Sequence, residues 1–247
     1  MIKTSDGSYT LYSQQFEQHY HSVKEGALNE ALSKHIIPAF DFHKGKKELN
    51  ILDICFGLGF NTITTLYYIK KNNLDIKVNI YSPEFDKELI ESLVDFKYPD
   101  EFKEFEDIIK TLSKDFYYED DSCKIVLYIG DAREYLKELK KDDKYFDIIY
   151  QDAFSSDVNR TLWTQEYFGQ IKSILNNDAI ITTYSIATPI RLSIYNNSLE
   201  IYEYKPDNSN KITVALNTKE IYKEKRYKYI DMILKQQRNK TAKPLRD

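Results

Sequence analysis

Residues 51–61 read Ile51-Leu52-Asp53-Ile54-Cys55-Phe56-Gly57-Leu58-Gly59-Phe60-Asn61, an apolar run that ends in two glycines and a polar residue. The apolar part is typical of a buried strand. Glycines directly after a strand let the backbone turn sharply and come close to a ligand. Such a Gly-x-Gly turn serves both dinucleotide-binding enzymes and enzymes that use S-adenosylmethionine, so this segment alone leaves the choice open.

The size and composition of the chain suit one large soluble domain. It has 247 residues, a mass of 29.3 kDa and 42% hydrophobic residues, which is enough for a substantial core. No stretch reaches the 18 apolar residues of a membrane span, and residues 1–7 lack the apolar segment of a signal peptide. We therefore expect a cytoplasmic protein without a membrane partner. The sequence does not indicate its oligomeric state.

The charge distribution is uneven. A net charge of −4 argues against a general nucleic-acid-binding protein, whose surface is normally basic. Lys and Arg nevertheless outnumber Asp and Glu in residues 219–247. Charge alone leaves two interpretations of this basic C-terminal tail: a segment that contacts RNA phosphates, or a solvated helix with a frayed end.

Strands and helices alternate along the chain. A hairpin around Asp6-Gly7 and a helix over 24–39, ending near Pro38, form an N-terminal extension (1–48). Strands are predicted at 51–56, 78–82, 124–129, 146–151, 179–183, 199–204 and 212–216. The last two lack an intervening helix and are joined by the turn-rich segment 205–210, so they should pair antiparallel.

This pattern predicts an α/β fold of the Rossmann-like class I methyltransferase type. Its sheet should have seven mostly parallel strands and an antiparallel terminal strand. Residues 49–218 would form the core, with a helical insertion at 95–122 packed on the edge of the sheet, and 219–247 the tail. A dehydrogenase would more often add a sixth parallel strand and a substrate domain. Because no internal repeat, proline-rich linker or low-complexity tract divides the sequence, we interpret residues 1–247 as a single methyltransferase domain.

Polar residues follow four of the predicted strands, at the edge where open α/β sheets bind ligands. The glycine turn follows the first strand, Glu84 the second, Asp131 the third and Asp152 the fourth. Thr62 stands where a dinucleotide-binding fingerprint has its third glycine, which favours S-adenosylmethionine. Glu84 can accept hydrogen bonds from both ribose hydroxyls, and Asp131 one from the adenine amino group.

Asp152-Ala153-Phe154 lies where the reacting group should sit. A carboxylate beside an aromatic ring suits an amine substrate, which must lose a proton before it can attack a methyl group. Asp152 would orient the amine or take its proton, and Phe154 would pack on the alkyl part. A purely structural role for Asp152, as a helix cap, stays open. The histidines of His19-Tyr20-His21 lack further metal-ligand spacing, and Cys55 and Cys123 look like small buried residues, so we expect no metal.

Several motifs together resemble the methyltransferase domain of the MnmC-type tRNA modification enzymes, in the stand-alone MnmD-like form. The motifs that carry this resemblance are Asp6-Gly7-Ser8, Thr10-Leu11-Tyr12-Ser13, His19-Tyr20-His21-Ser22, Gly26-Ala27-Leu28, Phe56-Gly57-Leu58-Gly59-Phe60-Asn61, Asp152-Ala153-Phe154, Leu162-Trp163-Thr164, Thr183-Tyr184-Ser185 and Arg191. Cys55 departs from the pattern, since many methyltransferases have the first glycine of the cofactor loop there.

The resemblance implies methylation of the aminomethyl group of 5-aminomethyl(-2-thio)uridine at the tRNA wobble position, with tRNA as partner and S-adenosylmethionine as cofactor. It implies no fused flavin-dependent oxidase, so another protein would produce the aminomethyl group. The implied cofactor-binding residues are Phe56, Gly57, Gly59, Asn61, Glu84, Asp131 and Asp152. The implied reacting residues are Asp152 and Phe154. Further substrate contacts are expected from His19, Tyr20, His21, Trp163, Tyr184 and Arg191.

Two alternatives from other classes stay open. The first is a class I methyltransferase that acts on a small-molecule amine, which the acidic isoelectric point favours and the basic tail opposes. The second is a non-catalytic module that binds S-adenosylmethionine or RNA. The complete reacting strand end Asp152-Ala153-Phe154 makes the second less favourable.

Overall fold

The computed structural model describes residues 1–207, 209–218 and 221–247. Asn208 of the predicted turn 205–210, and Lys219 and Glu220 of the basic tail, lie outside the described residues. Among the residues described, no helix combines the length and the apolar character needed to cross a bilayer.

The N-terminal extension contains two small hairpins and a long helical segment. The hairpins pair β1 (Ile2–Lys3) with β2 (Tyr9–Thr10) and β3 (Tyr12–Ser13) with β4 (Gln18–His19). The helical segment runs from α1 (Ala27–Glu30) through a π-helical turn (Ala31–Ile36) into α2 (Ile37–Phe42). The prediction that this helix ends near Pro38 is therefore wrong. Pro38 is tolerated because it closely follows the π-helical turn, where the regular hydrogen-bond pattern of the helix is already interrupted.

The core and the tail supply the remaining elements, and each predicted strand is found. In chain order they are β5 (Glu48–Ile54), α3 (Phe60–Lys71), β6 (Lys77–Glu84), α4 (Lys87–Ser92), two 3₁₀ turns (Leu93–Asp95 and Asp100–Phe105), α5 (Glu106–Asp115), β7 (Tyr117–Glu119), β8 (Cys123–Ile129), α6 (Ala132–Lys141), β9 (Phe146–Gln151), a 3₁₀ turn (Arg160–Leu162), α7 (Gln165–Lys172), β10 (Leu175–Thr183), α8 (Thr188–Tyr195), β11 (Glu200–Tyr204), β12 (Ile212–Leu216), β13 (Tyr227–Tyr229) and α9 (Met232–Arg238).

One sheet organises the molecule. In the described part of the chain its nine strands have the order β7-β8-β6-β5-β9-β10-β12-β11-β13. Strands β8, β6, β5, β9 and β10 are parallel, and β12 runs antiparallel to both β10 and β11. This confirms the predicted class I methyltransferase fold with seven main strands. Edge strands β7, from the 95–122 insertion, and β13, from the tail, were not predicted.

Two hydrophobic cores cover the two faces of the sheet. Residues of α1 to α5 pack with one face, and residues of α6 to α9 with the other. The strands β5 and β9 at the centre are almost fully buried, as expected for a parallel sheet covered on both sides. The carboxyl ends of β5, β6, β9 and β10 consequently meet at one edge, where the N-terminal extension lies across them.

Candidate active site

A cleft with a cavity volume of about 230 Å³ opens at the carboxyl ends of the central strands. Its walls come from the glycine turn after β5, from Glu84 and Phe85 after β6, from residues 152–155 after β9, and from the N-terminal extension. Among the predicted site residues, those that line it are His19, Tyr20, His21, Phe56, Gly57, Asn61, Glu84, Asp152, Phe154 and Tyr184. Residues far apart in sequence are thus brought to one site.

The glycine turn is tightly constrained. Gly59 has φ of +74°, and a Cβ atom there would lie 2.9 Å from the Phe56 ring. Gly57 has φ of +54°, and its Cβ atom would lie 3.2 Å from the Tyr20 ring. Cys55 also adopts a left-handed conformation, with φ of 67°, a backbone region that favours glycine. This costs a non-glycine residue roughly 1–3 kcal/mol. Cys55 lines the cleft, unlike the buried Cys123.

Glu84 connects the glycine turn to the end of β6. Its Oε2 accepts a hydrogen bond from the Gly57 N–H at 2.9 Å, and its Oε1 accepts from the Phe85 and Asp86 N–H groups at 2.9 and 3.0 Å. Burial raises the pKa of Glu84, and these backbone donors oppose that shift. The 95–122 insertion supports the same turn, because Tyr98 OH donates to Leu58 O at 2.9 Å.

Asp152 is held from two sides. Asn61 Nδ2 donates to its Oδ2 at 3.0 Å, and His35 Nε2 lies 3.4 Å from its Oδ1. Burial acts to raise the pKa of Asp152, but His35, His21 and Asn61 outweigh burial and hold it below its usual value. The carboxylate is therefore ionised at neutral pH. The sequence predicted a polar oxygen at the end of β9, but it did not predict that His35 is the partner of this oxygen.

Asp53 lies beneath the glycine turn and shares Asn61 with Asp152. Its carboxylate accepts from Thr62 Oγ1 at 2.8 Å and from Asn61 Nδ2 at 3.3 Å. Burial, together with Asp152 and Glu84, raises the pKa of Asp53 to about 8. The Asn61 Oδ1 atom is buried and, within the described residues, has no hydrogen-bond partner. The two carboxyl groups that line the cleft, Glu84 and Asp152, and this unpaired acceptor suit a cationic ligand.

Aromatic rings form the wall beside Asp152. Phe16, from the β3–β4 hairpin, stacks on Phe154 with ring centroids 4.6 Å apart, and Tyr20 contacts Phe154 edge-on at 5.0 Å. Phe85 is packed edge-on against Phe16. Gln18 Nε2 also donates to Ser155 Oγ at 2.7 Å, which fixes this hairpin to the loop after β9. Sequence reasoning missed Phe16, since nothing local connects it to Phe154.

His21 faces the cleft close to Asp152 and Glu30. Burial lowers the pKa of His21, and Asp152 and Glu30 only partly oppose this shift. Its Nδ1 lies 3.9 Å from Glu30 Oε2. The imidazole is therefore neutral at pH 7. His19 is exposed at the cleft edge and packs on Tyr12.

Four predicted site residues do not line the cleft: Gly59, Asp131, Trp163 and Arg191. Trp163 is fully buried and donates from Nε1 to Phe154 O at 2.7 Å. Arg191 is 3% exposed and donates from Nε to Thr213 Oγ1 at 2.8 Å. The prediction that Trp163 and Arg191 contact the substrate directly is corrected: both are buried, and they support the wall of the cleft from behind. Asp131 is exposed, and its Oδ1 caps α6 by accepting from Arg133 N and Glu134 N.

Other residues of the site were not foreseen. His35 lies in the π-helical turn, is 1% exposed, and has its Nδ1 2.8 Å from Thr182 Oγ1. A π-helical turn often marks a functional position, but it cannot be recognised from the sequence pattern. Asp53, directly before the glycine turn, could have been found by its position at a strand end. In the described part of the chain, no cluster of three or more His, Cys, Asp or Glu side chains could hold a metal ion.

Known proteins are similar to this chain in sequence and in fold. A family model described as S-adenosyl-L-methionine-dependent methyltransferase matches residues 97–218. The crystal structure of MnmC2 from Aquifex aeolicus superposes with a TM-score of 0.83 and 27% identity, over 100% of this chain and 78% of that chain.

Sequence relatives give a further comparison. An uncharacterised protein of Methanocaldococcus jannaschii is 31% identical over 201 residues, which is 78% of this chain and 52% of that protein. A polyamine aminopropyltransferase of Pyrobaculum calidifontis is 39% identical over 69 residues, or 27% of this chain and 23% of that protein. The chain therefore spans about half the length of the first relative and about a quarter of the second.

Fold, cleft and family match together define a class I S-adenosylmethionine-dependent methyltransferase, and the cofactor is S-adenosyl-L-methionine. The glycine turn, the acidic cleft and the unpaired Asn61 Oδ1 fit this cationic molecule. Within the class, the chain is similar to MnmC2 over its described length.

Proposed function

We propose that this protein methylates the aminomethyl group of 5-aminomethyl(-2-thio)uridine at the wobble position of tRNA. The observation that carries the proposal is Asp152, an ionised carboxylate in the cleft that is held by His35 and Asn61 beside the Phe154 ring. An ionised acid next to an aromatic wall suits a primary amine attached to a flat base. The motifs shared with MnmC-type enzymes and the similarity to MnmC2 support this substrate.

The cofactor would lie between the glycine turn and the ends of β5, β6 and β8. In this proposal Phe56, Gly57, Gly59 and Asn61 border its methionine part, with Asn61 Oδ1 accepting from the ammonium group. Glu84 accepts from a ribose hydroxyl through the one lone-pair site, on Oε2, that its three backbone donors leave free. Asp131 accepts from the adenine amino group, and Asp152 borders the sulfonium side.

Transfer requires a free lone pair on the substrate nitrogen. An alkylammonium group resembles lysine, whose pKa is about 10, so the protein must remove a proton at neutral pH. Asp152 binds and orients the ammonium group, and the neutral His21 accepts the proton. Glu30, 3.9 Å from His21 Nδ1, stabilises the resulting imidazolium. The bound cofactor supplies an electrophilic methyl group on sulfur, and alignment with the amine provides much of the acceleration.

The aromatic wall would hold the base. Phe154, Phe16 and Tyr20 offer ring faces and edges to a uracil turned out of the RNA strand, as enzymes that act on bases require. His19 and Tyr184 border the same space. Trp163 and Tyr184 fix the loop itself, because they donate to the carbonyl oxygens of Phe154 and Ala153.

We further propose that residues 1–247 act as one catalytic domain, located in the cytoplasm with its tRNA substrate. Residues 1–48 belong to that domain because His21 and His35 reach Asp152 from them. The tail contributes to RNA binding as a folded element, since β13 pairs with β11 and Met232 of α9 is buried. Leu245 O also accepts a hydrogen bond from Gln165 N at 2.8 Å.

One observation favours a second candidate, a methyltransferase that acts on a small amine. Short segments match polyamine aminopropyltransferases of two Pyrobaculum species, and the cleft is acidic. The deciding experiment incubates the protein with methyl-labelled S-adenosylmethionine and either tRNA lacking only the final methyl group or free diamines and polyamines. We expect label in tRNA, on the wobble nucleoside. Label in free amines alone would replace the tRNA proposal with the second candidate, and label in neither would contradict both.

A further inference from the structure

The carboxylate of Glu203 on β11 is surrounded by basic side chains. Lys211 Nζ donates to Glu203 Oε1 at 2.7 Å, and Lys228 lies directly across from Glu203 on β13. Arg191 from α8 and Lys235 from α9 also act electrostatically on this carboxylate. We call these five residues, Glu203 with Arg191, Lys211, Lys228 and Lys235, the Glu203 patch.

The patch lies at the same edge of the sheet as the cleft. Thr183, at the carboxyl end of β10, pairs with Thr213 on β12, and Thr213 pairs with Glu203. The next residue after Thr183 is Tyr184, which lines the cleft. Neighbouring strands from β10 to β13 are therefore in register along this edge of the sheet, and the patch lies next to the rim of the cleft.

Positive charge exceeds negative charge in the patch. Four cationic side chains act on one carboxylate, although the whole chain has a net charge of −4. Lys211 and Lys228 are exposed, and Lys235 is partly exposed. Lys228 and Lys235 come from the basic tail, and the fold places them beside Lys211 and Arg191. Exposed lysines bind phosphate groups as point charges, and such contacts do not recognise the base sequence.

Arg191 lies beneath this surface with an unpaired donor. Its Nε donates to Thr213 Oγ1, which in turn donates to Ser185 O at 2.6 Å. Its Nη2 is buried and has no hydrogen-bond partner in the described part of the chain. A buried cation with an unsatisfied donor is costly by itself and is stabilised by a nearby anion.

We propose that the Glu203 patch binds backbone phosphates of the RNA whose modified base occupies the cleft. This inference rests on the proposed function, because it takes RNA as the substrate. The lysines of the patch would hold the RNA strand beside Tyr184, while the cleft would recognise the modified base. Phosphate contacts of this kind position a nucleic acid and make its binding depend on salt.

The test neutralises the three lysines together, as K211Q/K228Q/K235Q. The matched control, K47Q/K141Q/K144Q, removes three exposed lysines at the opposite edge of the sheet. Affinity for a fluorescently labelled tRNA is measured by anisotropy at several salt concentrations, and methyl transfer is measured in parallel. We expect a roughly tenfold weaker Kd and a salt slope reduced by about two for the first variant. Its kcat and its affinity for S-adenosylmethionine should stay unchanged, as should all properties of the control.

A third variant, Glu203→Gln, removes the carboxylate of the patch and should tighten tRNA binding, a gain that misfolding cannot produce. Unchanged affinity and salt slope in the lysine variant, or an equal loss in the control, would overturn the patch alone if the wild type still methylates tRNA. A wild type that neither binds nor methylates tRNA would overturn the proposed function and the patch with it.

Discussion

His35 Nε2 lies 3.4 Å from Asp152 Oδ1 and joins the N-terminal extension to the carboxyl end of β9. Asp152 lines the cleft, and the buried His35 lies directly behind it. Thr182 Oγ1 holds the other ring nitrogen of His35 at 2.8 Å. The contact is electrostatic and not a hydrogen bond, since Nε2 has no hydrogen-bond partner among the described residues. His35 is therefore a positioning residue for Asp152.

Replacing Asp152 should separate catalysis from cofactor binding. We expect Asp152→Ala to reduce methyl transfer at least about a hundredfold, because the amine loses the group that orients it. Affinity for S-adenosylmethionine, measured by calorimetry, should change little. Equal losses of transfer and binding would instead indicate a structural role for Asp152.

Replacing His35 should shift the pH dependence of catalysis. His35 helps to hold the pKa of Asp152 below its usual value against the effect of burial. In His35→Ala this opposition weakens and the pKa of Asp152 rises. His35 also lowers the pKa of His21. The ionised Asp152 and the neutral His21 are the active forms, and both gain protons at higher pH in the variant, so the acidic limb of the kcat profile should move to higher pH. His35→Gln, which keeps a donor near Asp152, should restore part of the wild-type profile, whereas identical profiles for all three proteins would contradict the positioning role.

His21→Gln tests the proton acceptor. At pH 7 the substrate amine is protonated, and the variant should be about a hundredfold slower because no neutral imidazole takes the proton. Toward pH 10 the free amine forms in solution, so the difference from wild type should shrink. A defect that is constant over this pH range would argue for a packing role of His21 instead.

Glu84→Ala should weaken binding of the cofactor before it affects the chemical step. We expect the Kd for S-adenosylmethionine to rise about tenfold or more, because hydrogen bonds to a charged group are lost, with kcat at saturating cofactor near the wild-type value. The loss of three backbone hydrogen bonds to Glu84 also loosens the glycine turn. Glu88→Ala, an exposed acid in α4, is the control and should bind the cofactor normally.

Asp53 should make the stability of the cofactor-free protein fall as the pH rises. Its pKa is about 8 in the folded protein and about 4 in an unfolded chain, so the folded state binds more protons between these values. The free energy of unfolding should therefore decrease from about pH 4 to about pH 8, and Asp53→Asn should flatten that decrease. Urea denaturation at several pH values measures it, and parallel curves for both proteins would show that Asp53 does not cause the dependence.

Local sequence patterns predicted much of the fold. Apolar periodicity predicted the seven strands and the antiparallel terminal pair, and glycine positions predicted the turn from Cys55 to Asn61. Both signals act over a few residues. The same patterns failed at Pro38, where a π-helical turn lets the helix continue to Phe42. They also missed the edge strands β7 and β13, because short edge strands carry little apolar signal.

The sequence by itself determined the order of the strands along the chain and the polar residues at their ends. Only the tertiary structure decided which side chains meet there: His35 with Asp152, Phe16 with Phe154, and four basic residues with Glu203. It also moved Trp163 and Arg191 behind the cleft walls. The physical reason is that local periodicity specifies each element separately, whereas contacts between distant residues depend on how the helices pack across the completed sheet.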